Sequence, residues 1–343
     1  MTGEPSIDLA AWAAGVPDPV VERIRSARSV LAVGHENPDA DTLGATLAVG
    51  LLVEAHGGTA TLACSDPPPD LYRFLPGIDR FVTDPGAGDR FDLLVVSDCG
   101  TIDRVGELGR RRADLFERLP RVVIDHHVSN EAADPTDWID PAAAATCEMV
   151  ALLAERLGVP LATGEGGLAT ALMAGIVMDT ATFAHPSATP RTLAVAGALV
   201  EAGAPLAEIS RRLYRSKPDA QLRLFGRVLA RLESSDGGRV VWSTFTDEDL
   251  RATGAVPAHG EGIIDLLSQA EHAEVTILFK EQGPETRVSV RTRPGGVDAT
   301  VLTGAFGGGG HARAAGATLE MPLDDATPPV LAEARRLVAA IRV

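Results

Sequence analysis

Three side chains with metal-binding chemistry are crowded into residues 35–41, within the segment GHENPDADTLG. They are His35, Asp39 and Asp41, and a short loop of this composition after an apolar run favours capture of a divalent ion. The alternate placement of Asp39 and Asp41 could aim two carboxylates at two different ions. The competing interpretation is an Asp-rich helix N-cap beside a solvated histidine, and this segment alone does not decide between the two.

Similar side chains end other apolar runs. Asp98 ends LLVVSD, and Asp125, His126 and His127 follow RVVI in the same manner. Asp179 ends an apolar helical pattern, where a carboxylate meets the unfavourable negative end of the helix dipole unless a cation is near. These positions complete a predicted set of metal ligands: His35, Asp39, Asp41, Asp98, His126 and Asp179.

The composition of this set predicts two metal ions and phosphoester hydrolysis. Four clustered carboxylates repel one another and raise their pKa values, whereas two divalent ions would cancel four negative charges. Mixed histidine and carboxylate ligation suits Mn²⁺, with Mg²⁺ as the poorer fit. Asp98 is the natural bridging ligand, and a water between the ions would be acidified to attack phosphorus in line. Asp125 is expected to orient a neighbouring histidine, and His127 to contact a phosphate or protonate the leaving group.

The elements that must position these residues alternate between strands and helices. Apolar runs predict strands at 29–35, 59–64, 91–98 and 121–127. Patterned segments predict helices at 41–56, 146–158, 166–179 and within 190–215. This order predicts an α/β fold with a parallel sheet and helices on both faces. Ligand sites in such sheets lie beyond the carboxyl ends of the strands, which is where the polar clusters fall. Gly44 is expected to let its helix pack close to the sheet.

A polar stretch containing Pro218 predicts a domain boundary, with domains at 1–215 and 223–343 and a linker at 216–222. Beyond it, segments with period-two alternation predict a smaller α+β domain; they lie at 239–245, 273–281 and 286–293. The glycine run that follows is read as a loop. Its residues Gly308, Gly309 and Gly310 would let backbone N–H groups approach a phosphate, and His311 adds a polar tip.

Bulk composition limits the partners. The chain has 343 residues and a formal net charge of -16, so its surface repels the phosphates of long nucleic acids. We therefore expect no long duplex partner and a small phosphorylated substrate. Three scattered cysteines fit a reducing compartment. The sequence starts without a signal-like segment and has no apolar run of about 18 residues, so we expect a cytoplasmic protein without a membrane partner.

The motifs resemble those of the DHH phosphoesterases. HENPDAD, the strand-end Asp98, DHH at 125–127 and GIVMDTATF at 175–183 are similar to the four motifs of that family, and GGGGHARAAG at 307–316 resembles the signature of the first type of DHH-associated C-terminal domain. The chain looks like the two-domain branch of bifunctional oligoribonucleases and pAp phosphatases. Ala40 and Ala45 depart from the common Gly and Ser, but both are small and leave the metal site unaffected.

The resemblance implies roles for individual residues. One ion would be held by His35, Asp39 and Asp98. The other would be held by Asp41, Asp98, His126 and Asp179. The C-terminal domain would bind the nucleotide through the glycine run, His311 and an arginine, for which Arg291 is the counterpart. A homodimer formed through the N-terminal domain is also implied.

The main hypothesis is a manganese-dependent hydrolase that degrades short oligoribonucleotides to nucleoside monophosphates, converts pAp to AMP, or does both. A cyclic-dinucleotide phosphodiesterase is the alternative, because PDADTLGA resembles actinobacterial members, some of which cleave such substrates. A manganese pyrophosphatase is disfavoured by the glycine-histidine signature. A non-catalytic nucleotide-sensing module is disfavoured because every metal position is filled.

Overall fold

The computed structural model describes residues 7–86, 90–130 and 132–341. The chain divides into two compact units, Met1–Ser216 and Lys217–Val343. This division falls inside the predicted linker, and the second part of that linker is already helical. Pro218 is the N-cap of a helix that begins at Asp219, a place where the fixed φ of proline favours helix initiation.

The first unit is built on a six-stranded sheet in which every strand is parallel to its neighbours. Its strands are β1 (Ser29–Val33), β2 (Thr59–Ala63), β3 (Phe81–Val82), β4 (Leu93–Ser97), β5 (Arg121–Asp125) and β6 (Asp137–Ile139). Their spatial order is β3-β2-β1-β4-β5-β6. The order reverses between β1 and β4, and a parallel sheet opens its ligand crevice at such a point. The predicted α/β class is confirmed.

Helices cover both faces of this sheet. They are α1 (Ala10–Ala13), α2 (Asp18–Ser26), α3 (Ala40–Ala55), α4 (Glu107–Arg111), α5 (Ala113–Arg118), α6 (Thr146–Leu157), α7 (Gly167–Asp179), α8 (Pro190–Glu201) and α9 (Leu206–Tyr214). Because side chains alternate along a strand, Val30 and Ala32 pack in a core with α3, α6 and α7. Leu31 and Val33 pack in the opposite core with α4 and α5.

Glycines bring α3, α6 and α7 unusually close together. A Cβ on Gly44 would lie 2.4 Å from the carbonyl oxygen of Ala171 and 2.9 Å from the Sγ atom of Cys147. A Cβ on Gly175 would lie 2.4 Å from Oδ1 of Asp41. The expectation that Gly44 serves packing against the sheet was wrong. Its close neighbours are the helices α7 and α6, and the contact fixes the helix that carries Asp41.

The second unit contains a mixed six-stranded sheet, which confirms the predicted α+β character. Its strands are β7 (Glu233–Ser235), β8 (Val240–Phe245), β9 (Val275–Gln282), β10 (Glu285–Thr292), β11 (Gly309–His311) and β12 (Ala314–Leu319), in the spatial order β11-β12-β10-β9-β8-β7. Its helices are α10 (Asp219–Ala230), α11 (Asp247–Thr253), α12 (Ile263–Leu267), α13 (Ala299–Gly304) and α14 (Leu323–Ala340). The glycine run is not purely a loop, because part of it forms the edge strand β11.

Within the described ranges, no single helix is both long and apolar enough to cross a bilayer. The helices α8 and α9 meet that criterion only as a pair, and the chain bends by 112° between them.

Candidate metal centre

The loop after β1 brings His35 and Asp39 to the carboxyl edge of the sheet. Asp39 is the N-cap of α3, and its Oδ1 accepts hydrogen bonds from the backbone N–H groups of Asp41 (2.9 Å) and Thr42 (3.0 Å). Its Oδ2 lies 3.9 Å from Nε2 of His35. The two competing interpretations of this segment are therefore compatible, since one oxygen caps the helix while the other faces the site.

Asp98 occupies the centre of the cluster. It follows β4 directly with a φ of 60°, in the left-handed region that Asp tolerates better than most residues. Its Oδ2 lies 3.6 Å from Nε2 of His35, and its Oδ1 lies 3.6 Å from Nε2 of His126. Each oxygen also accepts a hydrogen bond from a hydroxyl: Oδ2 from Thr42 at 2.6 Å and Oδ1 from Thr146 at 3.0 Å. These four contacts orient the two oxygens toward two different groups of ligands.

A second group forms around His126. Its Nε2 lies 3.1 Å from Oδ2 of Asp179, at the end of α7, and 3.9 Å from Oδ2 of Asp41. Asp41 is fully buried against the amino end of α6, where its carboxylate accepts the N–H groups of Thr146 (2.7 Å) and Cys147 (2.9 Å). A helix amino end stabilises an anion, so α6 helps to hold this carboxylate in place.

Both histidines of the cluster present the same ring nitrogen to the carboxylates. His35 makes a 2.7 Å contact from Nδ1 to the carbonyl oxygen of Glu36, and His126 makes a 3.3 Å contact from Nδ1 to that of Ala143. A carbonyl oxygen can only accept, so Nδ1 carries the proton and donates in each case. In the neutral tautomer this leaves the Nε2 lone pair directed at the cluster, as in metal-binding histidines whose other nitrogen donates to a carbonyl.

His127 belongs to a neighbouring network. Its Nδ1 lies 2.7 Å from Oδ1 of the buried Asp125, whose other oxygen accepts a 2.7 Å hydrogen bond from Asn130. The hydrogen bond with Asp125 raises the pKa of His127, although partial burial opposes this. The carboxylate of Asp125 is thus hydrogen-bonded to His127 and Asn130, apart from the two ligand groups. The other ring nitrogen of His127, Nε2, remains free to contact a bound molecule.

The electrostatics of the cluster fit a divalent cation. Desolvation and then the charge of Asp98 raise the pKa of Asp41 and of Asp39, and desolvation is also the largest cause of the raised pKa of Asp179. Burial alone would lower the pKa of His126, but the hydrogen bond with Asp179 and the surrounding carboxylates raise it to about 10. Without a metal ion, a proton on His126 therefore offsets part of this negative charge. Oxygen and imidazole donors of this kind suit Mn²⁺ or Mg²⁺.

The ligand atoms are also close enough together to share ions. Two groups have ligand atoms within 4.8 Å of one another: His35, Asp39 and Asp98; and Asp41, His126 and Asp179. These groups bring together all six residues of the predicted ligand set. A third such group combines Asp98 and His126 with His127.

Several residues that support the ligands were not predicted from the sequence. The hydroxyls of Thr42 and Thr146 donate to Asp98, and each lies in the first turn of a helix beside the cluster. Arg191 donates hydrogen bonds to the fully buried Glu148 and, at 2.8 Å, to Asp140. It thereby anchors both ends of segment 140–148, which carries the carbonyl of Ala143. The available signal was Arg191 within a mostly apolar helical pattern, a position where an unpaired charge would be costly.

The predicted substrate residues lie in the second unit. Arg291 of β10 pairs with Ala314 of β12, which pairs with His311 of β11, so Arg291 and His311 lie on one row of the sheet and their side chains share a face. A Cβ on Gly308 would lie 2.2 Å from the carbonyl oxygen of Gly316. A Cβ on Gly310 would lie 2.7 Å from that of Ala314. Close strand approach, rather than loop flexibility, therefore explains these two glycines, and Gly309 lies between them in β11.

Comparison with known proteins places this chain among described families. Residues 29–176 match the DHH family, N-terminal domain, and residues 252–340 match the DHHA1 domain. The chain is 33% identical over 307 residues to the bifunctional oligoribonuclease and PAP phosphatase NrnA of Thermus thermophilus, across 88% of this chain and 87% of that protein. It is 27% identical over 290 residues to the Bacillus subtilis protein of the same name, across 83% and 87%.

A solved structure shows the same fold. An exopolyphosphatase-related protein from Bacteroides fragilis aligns with a TM-score of 0.80 at 19% identity, over 95% of this chain and 96% of that one. The fold, the site and these relatives together define a hydrolase of phosphoester bonds. The chain belongs to the DHH family, in the branch of NrnA-like proteins, with a DHH domain followed by a DHHA1 domain.

Proposed function

We propose that this protein uses two divalent ions, Mn²⁺ in preference to Mg²⁺, to hydrolyse short oligoribonucleotides to nucleoside monophosphates and to remove the 3′-phosphate from pAp. The observation that carries the proposal is the position of Asp98, whose two oxygens face two separate groups of ligands. The names of two relatives, which describe an oligoribonuclease and PAP phosphatase, support the choice of substrates.

The two ligand groups would divide the ions between them. One ion would be held by His35, Asp39 and Asp98, and the other by Asp41, Asp98, His126 and Asp179. When bound, such ions acidify water and stabilise charge on phosphoryl oxygens. The hydroxyls of Thr42 and Thr146 hold the carboxylate of Asp98 in the orientation that this division requires.

His127 would act on the leaving group. Because Asp125 raises its pKa, the imidazole carries a proton more readily at neutral pH, and Asp125 fixes the ring through Nδ1. The Nε2–H group would then donate to a phosphate oxygen or to the departing oxygen, a role that suits a general acid with a pKa near the working pH.

Substrate binding would fall to residues 223–343, with catalysis in residues 1–215. Arg291, Gly308, Gly309, Gly310 and His311 would contact the nucleotide. The proposal includes a homodimer, as the family resemblance implies, and a cytoplasmic location, as expected from the sequence. It excludes long duplex nucleic acid, because a net charge of -16 opposes association with a polyanion.

A substrate and metal panel tests the proposal. The protein, stripped with a chelator and reloaded with Mn²⁺ or Mg²⁺, is offered pAp, RNA dinucleotides, cyclic di-AMP and long single strands, and initial rates are compared. We expect the highest kcat/KM on short linear substrates with Mn²⁺. Faster cleavage of cyclic di-AMP than of linear pApA would favour the phosphodiesterase alternative, and equal activity on long strands would contradict the preference for short ones.

The variant Asp98→Asn belongs in the same panel. We expect kcat to fall by about 10²–10³-fold or more, since the central carboxylate organises charge stabilisation at the reacting phosphorus. Asp103→Asn is the matched control, because it removes an exposed carboxylate shortly after β4. Full activity in Asp98→Asn would exclude the two-metal model, whereas nucleotide binding without hydrolysis by the wild type would favour the nucleotide-sensing alternative.

A further inference from the structure

One face of the second sheet carries an unusual set of cations. Along β10, Val288 and Val290 point into the core shared with α14. The alternating residues Arg287, Ser289 and Arg291 therefore lie on the opposite face. On β9, Lys280 pairs directly with Arg287 in the antiparallel register. Three cationic side chains thus share this face, two of them directly paired, in a chain whose net charge is strongly negative.

The Lys280–Arg287 pair is electrostatically costly by itself. Like charges that face each other directly across two strands destabilise a sheet. Lys280 is half-buried, and its Nζ lies 4.9 Å from the ring centroid of Phe245. Desolvation and then the charge of Arg287 lower the pKa of Lys280. An anion bound between the two side chains would remove this repulsion.

Carboxylates compensate the pair only in part, through the charge of Asp247, which acts on the pKa of Lys280 in the opposite direction to Arg287. In the part of the chain that the structure describes, neither Lys280 nor Arg287 forms an ion pair with an acidic side chain, whereas other arginines of this unit do. Those pairs include Arg227 and Arg231 with Asp249, Arg239 with Glu274, and Arg291 with Asp265. The sequence contains 47 acidic against 31 basic residues, yet two cations face each other directly here without an acidic side chain in ion-pair contact.

The pair opens on a cavity of about 390 Å³, a size typical of small-ligand sites. Its polar lining includes Lys280, Arg287, Ser289 and Arg291. The carboxylates of Glu261 and Asp265 also line it, and Asp265 is already bonded to Arg291 at 2.9 Å. The cavity therefore joins the unpaired cations to the arginine that we assign to substrate binding.

We propose that Lys280 and Arg287 form a second phosphate-binding subsite, so that this chain selects nucleotides carrying at least two phosphate groups. The inference rests on the proposed function, in which the metal centre takes the phosphate that is cleaved and Arg291 contacts the nucleotide. Arg287 lies four positions before Arg291 along β10, a Cα distance of roughly 13 Å. The long side chains at these two positions would contact different parts of one short nucleotide, and the subsite would take a phosphate other than the one that is cleaved. A 5′-phosphorylated dinucleotide such as pApA meets this requirement, whereas ApA has a single phosphate.

The test compares pApA with ApA in the full-length protein. We expect Arg287→Gln and Lys280→Gln each to raise the KM and Kd for pApA about tenfold, as loss of a charge-assisted hydrogen bond predicts. The values for ApA should change less than about twofold. The slope of log Kd against log salt concentration for pApA should also become shallower by about 0.7. Arg287→Lys, which keeps the charge, should restore most of the affinity.

Arg336→Gln is the matched control. Arg336 lies on α14, which packs on the opposite face, and pairs there with Glu333, so the variant removes the same charge from the same unit. Equal losses for ApA and pApA, or unchanged pApA binding in both subsite variants, would overturn the subsite. Melting temperatures check that each variant is folded.

Binding measured with a chelator present separates this inference from the proposed function. If neither dinucleotide is hydrolysed but the charge-dependent preference for pApA persists, the subsite stands and the proposed hydrolysis fails. If both are hydrolysed and the preference is absent, the reverse holds.

Discussion

At the scale of single residues, the candidate metal centre is defined by which nitrogen and oxygen atoms remain free to bind a metal ion. Backbone carbonyls occupy Nδ1 of His35 and of His126, so Nε2 of each ring faces the carboxylates. Asp125 is occupied by His127 and Asn130. The division between residues that face the cluster and residues that support it therefore follows from hydrogen bonding.

The protonation of His126 leads to a prediction about metal binding. Its pKa of about 10 in the metal-free protein means that the ring is charged at neutral pH, and a metal ion must displace that proton. We expect Mn²⁺ binding at pH 7 to release about one proton from His126, and metal affinity to rise with pH up to the pKa of this ring. Calorimetric titrations in two buffers of different ionisation enthalpy measure the released protons.

His126→Gln is the variant that isolates this effect. It keeps a polar side chain but has no titrating ring, so proton release on Mn²⁺ binding should fall by about one relative to the wild type. The same release in both proteins would show that another group supplies the proton. His259→Gln, which changes a histidine of the second unit, controls for the loss of an unrelated imidazole.

At the scale of elements, the site depends on how closely α3, α6 and α7 approach one another. A Cβ on Gly175 would lie 2.4 Å from both Oδ1 of Asp41 and Sγ of Cys147. We expect Gly175→Ala to destabilise the first unit by about 1–3 kcal/mol through overpacking. Displacement of Asp41 should also weaken Mn²⁺ binding about 10–100-fold. Urea unfolding and metal titration give the two values.

Gly226→Ala provides the comparison for that substitution. Gly226 lies in α10 with no atom within 4 Å of an added Cβ, so alanine should stabilise by about 0.5–1 kcal/mol through its better helix propensity. If Gly175→Ala behaved like Gly226→Ala and bound Mn²⁺ normally, close helix approach would not be what positions Asp41.

The success of the sequence predictions also follows from element geometry. Buried parallel strands read as continuous apolar runs, so β1, β4 and β5 were recognisable, and Asp98, Asp125 and His126 were placed at their ends. The strands β3 and β6 have too few residues, two and three, to show a pattern. The contact of Asp41 with the amino end of α6 joins residues 105 positions apart, a relation that no local spacing records.

The second unit shows the complementary limit. Period-two alternation identified β8, β9 and β10, but strand register cannot be read from alternation alone. The pairing of Lys280 with Arg287, and the shared row of Arg291, Ala314 and His311, depend on that register. The approach of the glycine run to a phosphate stays a prediction, and its close approach to strand β12 was not foreseen.

At the scale of the whole molecule, the two units have separate cores, so the stability of each should depend on pH in its own way. In the second unit, the buried Asp249 caps α11 through Thr246 and pairs with Arg227 and Arg231. Burial opposes ionisation of this carboxyl, but hydrogen bonds from the two arginines outweigh it and lower its pKa. The stabilisation is therefore complete above the unfolded pKa of about 3.9 and is lost as pH falls through the lower folded pKa.

Asp249→Asn should accordingly destabilise the second unit by about 2–3 kcal/mol at pH 7, the contribution of hydrogen bonds to a charged group. The difference from the wild type should shrink as pH falls below about 4. Hydrogen exchange across α10, α11 and β8 measures the effect where it arises. Glu248→Gln, which alters the exposed neighbouring pair with Arg251, should change much less. A pH-independent difference would mean that the ionisation of Asp249 is not responsible.

The buried thiols have a practical consequence for spectroscopy. Cys64, Cys99 and Cys147 are all buried, and desolvation raises the pKa of Cys64 to about 12 and raises those of Cys99 and Cys147 as well. Because alkylating reagents attack the exposed thiolate, the native cysteines should react very slowly with maleimide dyes. One cysteine introduced on the surface of each unit would then accept a fluorophore selectively in the wild-type background, so that each unit could be followed by its own spectroscopic signal.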